Sequence, residues 1–173
     1  MDALKAMIRQ VPDFPKPGIL FYDITTLLRD RDGFRAAIES LTAPYRDAKI
    51  DVVVAVESRG FILGAAVADR LGTGFVPVRK PGKLPGKALR ATYQLEYGTD
   101  ALEMHDGALE EGQRVLVVDD VLATGGTARA TVDLVKQQGA TVHAVAFLIE
   151  LRFLGGRGKL EGESVYAVLG YDD

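Results

Sequence analysis

Between residues 51 and 149 short apolar runs alternate with amphipathic stretches, and this alternation leaves the chain few folds to choose from. Residues 51–56 read DVVVAV, after Asp51 an unbroken apolar run of the kind found in strands covered on both faces. Residues 60–71 follow, with Leu63, Val67 and Leu71 at helical spacing. Residues 75–78 form a second short strand, and residues 115–118 (VLVV) a third buried one. Gly125 and Gly126 come next, then a segment with Ala128, Val132 and Val135 on one face, ending near Gly139 where a helix stop belongs. Residues 141–149 give a further strand. Upstream, Phe34, Ala37, Ile38, Leu41 and Tyr45 make a helical stripe, with Asp32 as its expected N-cap. Strand–helix–strand order implies an α/β fold, a mostly parallel sheet flanked by helices.

One domain over residues 1–173 is the expectation for this length. Residues 79–105 break the rhythm. They begin RKPGKLPGK and continue as two alternating stretches around Tyr97-Gly98-Thr99-Asp100, the pattern of a β-hairpin. An insertion of this kind in a compact domain is usually functional, so residues 79–105 are expected to form a flexible lid hinged at Gly82 and Gly86.

Several classes drop out. With no cysteine, the chain has no disulfide framework, thiolate metal site or thiol nucleophile. A net charge of −3 provides no global field for nucleic acid. The longest apolar run, residues 144–149, is far too short to span a bilayer, and charges interrupt the apolar start of the chain, so a soluble cytoplasmic protein is expected. Gly82 to Lys87 lacks Walker A spacing, and Gly60 to Gly64 lacks the dinucleotide-binding fingerprint.

The informative string is VLVVDDVLATGGT, residues 115–127. A buried strand ends at two adjacent acids, and a loop of small residues then opens a helix. Ligands of open α/β sheets bind just past the carboxyl ends of strands. From Thr124 to Thr127 the backbone N–H groups are free to converge on one anion, aided by the helix N-terminus and two threonine hydroxyls. Asp119 and Asp120 would repel that anion, so they serve another part of the ligand; adjacent sugar hydroxyls suit them. The ligand is thus a sugar phosphate with a cis-diol. The alternative, a carboxylate pair holding Mg2+ or capping a helix beside a plain tight turn, stays open. Arg59, between a strand and a helix in Glu57-Ser58-Arg59-Gly60, could hold a pyrophosphate or be a simple surface arginine. Arg79, Lys80, Lys83, Lys87 and Arg90 place five positive charges in twelve residues without an acid, which suits a polyanionic small substrate better than a nucleic-acid patch or solvated loop. His105 and His143 are isolated and read as non-catalytic.

This string resembles the phosphoribosyl-pyrophosphate motif of type I phosphoribosyltransferases. DFPKPGILFYDI (residues 13–24), RKPGKLPG (79–86) and YQLEYG (93–98) narrow the resemblance to the adenine phosphoribosyltransferases, with matches from about residue 13 to 150. The resemblance implies that adenine and 5-phosphoribosyl-1-pyrophosphate give AMP and pyrophosphate, with Mg2+ carried mainly by the substrate near Asp119 and Asp120 and not bound directly by the protein. It implies that Ala123, Thr124, Gly125, Gly126 and Thr127 bind the 5′-phosphate and that Asp119 and Asp120 bind the ribose hydroxyls. Arg59, Arg79 and Lys83, joined by Lys80 and Tyr97 in the substrate-binding set, would meet the pyrophosphate end and the lid. A hood over residues 1–33 would bring Leu20, Phe21 and Tyr22 over the base, with Phe21 stacking and Leu151 packing nearby. Glu96 would be the catalytic residue, managing the proton at N7. A homodimer, with some basic residues acting across it, is also implied. Tyr22 departs from the family's frequent arginine, which leaves only a backbone contact there. Transfer to hypoxanthine, guanine, xanthine or a pyrimidine, and a non-catalytic nucleotide-sensing module, are the rival readings.

Overall fold

A computed structural model describes residues 2–95 and 98–172. Its elements are α1 (Asp2–Ala6), β1 (Arg9–Pro12), β2 (Leu20–Asp23), α2 (Thr25–Arg29), α3 (Arg31–Thr42), β3 (Val52–Val56), α4 (Arg59–Leu71), β4 (Gly74–Val78), β5 (Ala88–Gln94), β6 (Thr99–His105), β7 (Arg114–Leu122), α5 (Gly126–Gln137), β8 (Thr141–Leu151) and β9 (Val165–Tyr171). Three short 3-10 turns occupy Ala43–Tyr45, Arg152–Leu154 and Gly156–Leu160.

Five strands form the central sheet in the order β4-β3-β7-β8-β9, with every neighbouring pair parallel. The VLVV run is apolar throughout because both of its faces are covered. Leu116 and Val118 join Leu63 and Val67 of α4, Ile38 and Leu41 of α3 and Leu27 of α2 in one core. Val115 and Val117 face the other way, into a second core with Val132, Leu134 and Val135 of α5 and Leu102 and Met104 of β6. Both cores are built of buried apolar side chains, so the hydrophobic gain holds the helices to the two sheet faces.

Two small antiparallel hairpins flank the sheet. β1 pairs with β2, setting Arg9 opposite Asp23, and β5 pairs with β6 along its whole length, from Ala88–His105 to Gln94–Thr99. The second is the hairpin expected within residues 79–105.

Several boundaries differ from the sequence reading. β7 does not stop at Val118 but continues through both acids to Leu122. Its pairing with β3 ends at Ala55–Val118, while its pairing with β8 continues through Asp119–Phe147 and Leu122–Glu150. The two acids can stay in a strand because β8 still supplies a backbone partner on one side. The other side opens a crevice where β3 has ended. The cap of α3 is Asp30, not Asp32: the Gly33 N–H donates to Asp30 Oδ1 at 2.7 Å. Tyr45 lies in a 3-10 turn beyond that helix. β8 runs two residues further than expected, and β9 was not foreseen at all.

Candidate active site

The crevice beside β7 is a cavity of about 520 Å³. It is lined by Leu20, Phe21 and Tyr22 of β2, Glu57 and Ser58 after β3, Arg59 of α4, Asp119 and Asp120 of β7, residues 123–127, and Leu151 and Leu154. Chain order places each group here. β3 and β7 are adjacent parallel strands, so the segments leaving their carboxyl ends meet at one edge.

Asp119 is buried, and its Oδ1 accepts a hydrogen bond from the Asp120 N–H at 2.9 Å. Burial, then the neighbouring charge of Asp120, push its carboxyl well above the ordinary 3.8. The first turn of α4 comes so close that a Cβ on Gly60 would lie 2.6 Å from Asp119 Oδ1. Only glycine fits there.

The loop between β7 and α5 is fixed by backbone contact. Gly125 has φ +80°, a conformation most L-residues avoid, and a Cβ there would lie 2.3 Å from the Gly156 carbonyl oxygen. A Cβ on Gly156 would in turn lie 2.1 Å from the Ala123 oxygen. α5 starts at Gly126 with no side chain capping its first N–H groups. Those donors and the helix dipole make an anion cup.

Arg59 donates from Nε to the Asp120 carboxylate, and its guanidinium lies 5.3 Å from the Phe21 ring centre. Phe21 also meets Phe14 edge-on at 5.1 Å. Tyr22 behaves differently from its two neighbours: its side chain is buried, with its ring 4.2 Å from that of Tyr171.

Arg79, Lys80 and Lys83 do not line the cavity but surround Glu57, which does. Lys83 Nζ donates to Glu57 Oε2 at 2.7 Å, and the Lys80 N–H donates to Oε1 at 2.7 Å. Arg79 Nε lies 3.3 Å from Oε1 without a hydrogen bond. Burial pushes the Glu57 carboxyl up, but these donors outweigh it and leave it below its ordinary 4.5. The Lys80 ammonium pairs with Asp100 and donates to the Tyr93 hydroxyl at 2.9 Å. Arg90 lies 3.3 Å from Glu103. The cluster read as lacking acids thus takes its counter-charges from elsewhere in the chain. Glu96 and Tyr97 lie outside the described residues.

The sequence reading missed the roles of Glu57, Gly156 and Leu154. Gly155-Gly156 was a visible signal of close backbone approach, but nothing local said what approached. Neither His105 nor His143 lines the cavity.

Residues 25–166 match the model of the phosphoribosyl transferase domain. An adenine phosphoribosyltransferase of Solibacter usitatus is 58% identical over 172 residues, 99% of both chains. The chain belongs to the adenine phosphoribosyltransferase family. A solved member from Thermoanaerobacter pseudethanolicus superposes with a TM-score of 0.96 at 52% identity, covering 98% of this chain and 99% of that one. Another, the adenine phosphoribosyltransferase of Saccharomyces cerevisiae in complex with adenine and an imino-altritol bisphosphate, does so at 0.92 and 44% identity, covering 97% of each. This family member is therefore a pentosyltransferase built on the type I phosphoribosyltransferase fold. Among its described residues no helix is long and apolar enough to cross a membrane.

Proposed function

We propose that this cavity transfers 5-phosphoribosyl from 5-phosphoribosyl-1-pyrophosphate to adenine, giving AMP and pyrophosphate. The observation that carries the reading is one cavity lined together by an uncapped helix start, two carboxylates and an aromatic ring. The N–H groups of residues 123–127 and the hydroxyls of Thr124 and Thr127 hold the 5′-phosphate. Asp120 and Asp119 accept from the ribose hydroxyls. Phe21 stacks on adenine, Leu20 and Leu151 flank it, and the backbone at Tyr22 reads its edge.

In this reading Arg59, Arg79, Lys80 and Lys83 serve the pyrophosphate end. Charge develops toward that leaving group as the sugar becomes oxocarbenium-like, and fixed cations lower the barrier. Residues 79–105 act as a lid over the donor, excluding water that would hydrolyse the activated sugar. Glu96 and Tyr97 belong to that lid, with Glu96 managing the N7 proton. Residues 1–33 act as the hood.

Among the described residues no three acidic or histidine side chains cluster as a metal site. The paired carboxylates of Asp119 and Asp120 are hard oxygen donors that suit Mg2+ brought in by the donor. When bound, Mg2+ neutralises charge on the departing pyrophosphate. A cytoplasmic homodimer completes the reading; Ile62, 45% exposed on α4, and Phe153, 50% exposed, are apolar surface that a second copy would cover.

The test is pyrophosphate release with adenine, the sugar donor and Mg2+, against a panel of other bases. Turnover with adenine and little with hypoxanthine or guanine supports the reading. Donor binding without turnover on any base would leave a nucleotide-sensing module instead.

A further inference from the structure

The residues 123–127 carry no side chain long enough to fix their own backbone, yet an anion cup works only if its N–H groups already point inward. What holds them is the turn after β8. Gly156 lies directly against Ala123 and Gly125, with no room for a Cβ on either Gly125 or Gly156. That turn is itself weak: it is two short 3-10 stretches, Arg152–Leu154 and Gly156–Leu160, broken at Gly155, and it also contains Gly156 and Gly158. Its anchor is Arg157. Nε donates to Glu150 Oε1 at 2.9 Å, Nη2 to Glu150 Oε2 at 2.6 Å, and Nη1 to the Val165 carbonyl oxygen at 2.9 Å. Glu150 is 6% exposed and sits in β8 opposite Leu122, the last residue of β7 before the loop begins. One bidentate pair, the most geometrically restrictive ion pair available to side chains, therefore ties the strand beside the loop to the turn beneath it.

We propose that Glu150 and Arg157 are positioning residues for the 5′-phosphate. Their clamp seats Gly156 under the loop and so sets the donor geometry of the cup before the ligand arrives. Neither side chain touches substrate. The inference rests on the assignment of residues 123–127 as the phosphate site.

The test uses Glu150→Gln, which keeps shape and loses charge, and Arg157→Lys, which keeps charge and loses the fork. The Arg157 side chain is 49% exposed, so its lysine variant folds even if the buried glutamine variant does not. The readouts are direct binding of ribose 5-phosphate, the KM for each substrate, and inhibition by inorganic pyrophosphate, which the proposed site holds elsewhere. The expected result is at least a tenfold weakening of ribose 5-phosphate and a matching rise in donor KM. Adenine KM and pyrophosphate inhibition stay within twofold. Gly156→Ala, with the clamp intact, should reproduce the pattern because its Cβ meets the Ala123 oxygen. A lowered Tm with ribose 5-phosphate binding unchanged overturns the inference, as does equal weakening of adenine and sugar phosphate. If the wild-type chain binds no ribose 5-phosphate, the site assignment itself has failed. If it binds and both variants bind equally well, only the clamp has failed.

Discussion

Arg59 and Asp120, sixty-one positions apart, are joined by a hydrogen-bonded ion pair in the lining of the cavity, with Asp120 buried and Arg59 partly exposed. The residue proposed for pyrophosphate thus holds the residue proposed for ribose. Asp120→Asn removes one partner and should raise the donor KM tenfold or more while changing adenine KM by less than threefold. Arg59→Gln should act in the same direction. Equal rises for both substrates in steady-state kinetics would argue against ribose binding.

Glu96→Gln should lower kcat by roughly 10²–10⁴-fold, the usual contribution of a general acid or base. Binding of adenine and donor, followed by calorimetry, should persist. An unchanged turnover number retires the role.

Two glycines of one helix separate function from packing. A Cβ on Gly60 would press on Asp119 Oδ1 at 2.6 Å, whereas a Cβ on Gly64 would meet the Ala55 Cβ at 2.5 Å in the core. Gly64→Ala should cost about 1–3 kcal/mol of stability by overpacking, with kcat little changed in the folded fraction. Gly60→Ala should displace Asp119 and lower kcat/KM for the donor at least tenfold. Thermal melts paired with kinetics check both.

Asp119→Asn should stabilise the ligand-free protein while impairing donor binding. The Asp119 pKa is raised on folding, so the folded state retains its proton to higher pH than the unfolded chain does. Stability contributed by this group is therefore present below the unfolded value near 3.8 and is lost as pH rises above it. The advantage of the asparagine variant should grow from pH 4 upward. A gain of about 1 kcal/mol shifts Tm by roughly 2–4 °C in a chain of this size.

Asp23 has the opposite sign. The Thr25 N–H, then its hydroxyl, with help from Arg9, pull its pKa from 3.8 to about 2 against a smaller effect of burial. Its contribution is fully present above pH 4 and is lost as pH falls toward 2. The difference in unfolding free energy between wild type and Asp23→Asn should shrink across that window. A constant difference from pH 6 to pH 2 contradicts the assignment.

The parallel sheet was legible because VLVV and DVVVAV are apolar on both faces, and the loop at residues 123–127 because small residues at a helix start have a local meaning. The end of β7 was not legible: two aspartates look like a strand terminus, and only the longer reach of β8 keeps them paired. β9 was missed although VYAVL, residues 165–169, is as long an apolar run as that of β3; what the sequence did not show is where that run pairs, at the sheet edge beside β8. The clamp of Glu150 and Arg157 and the acids around the lysines were invisible because each joins residues whose separation in sequence says nothing of distance. Tyr22, expected with the hood, has its ring in the core beside Tyr171, a partner supplied by the unforeseen strand.

Glu57 sits between Arg79 and Lys83 as an internal counter-ion, with the Lys80 backbone N–H on the same carboxylate. A polyphosphate arriving at this edge would find cations already neutralised by the protein itself, not by dissolved salt. Under the proposed function its capture would be an ion exchange in which a tethered carboxylate is displaced and kept close by. Release of pyrophosphate would then have a built-in return path, since the same carboxylate stays at hand to reclaim the charges.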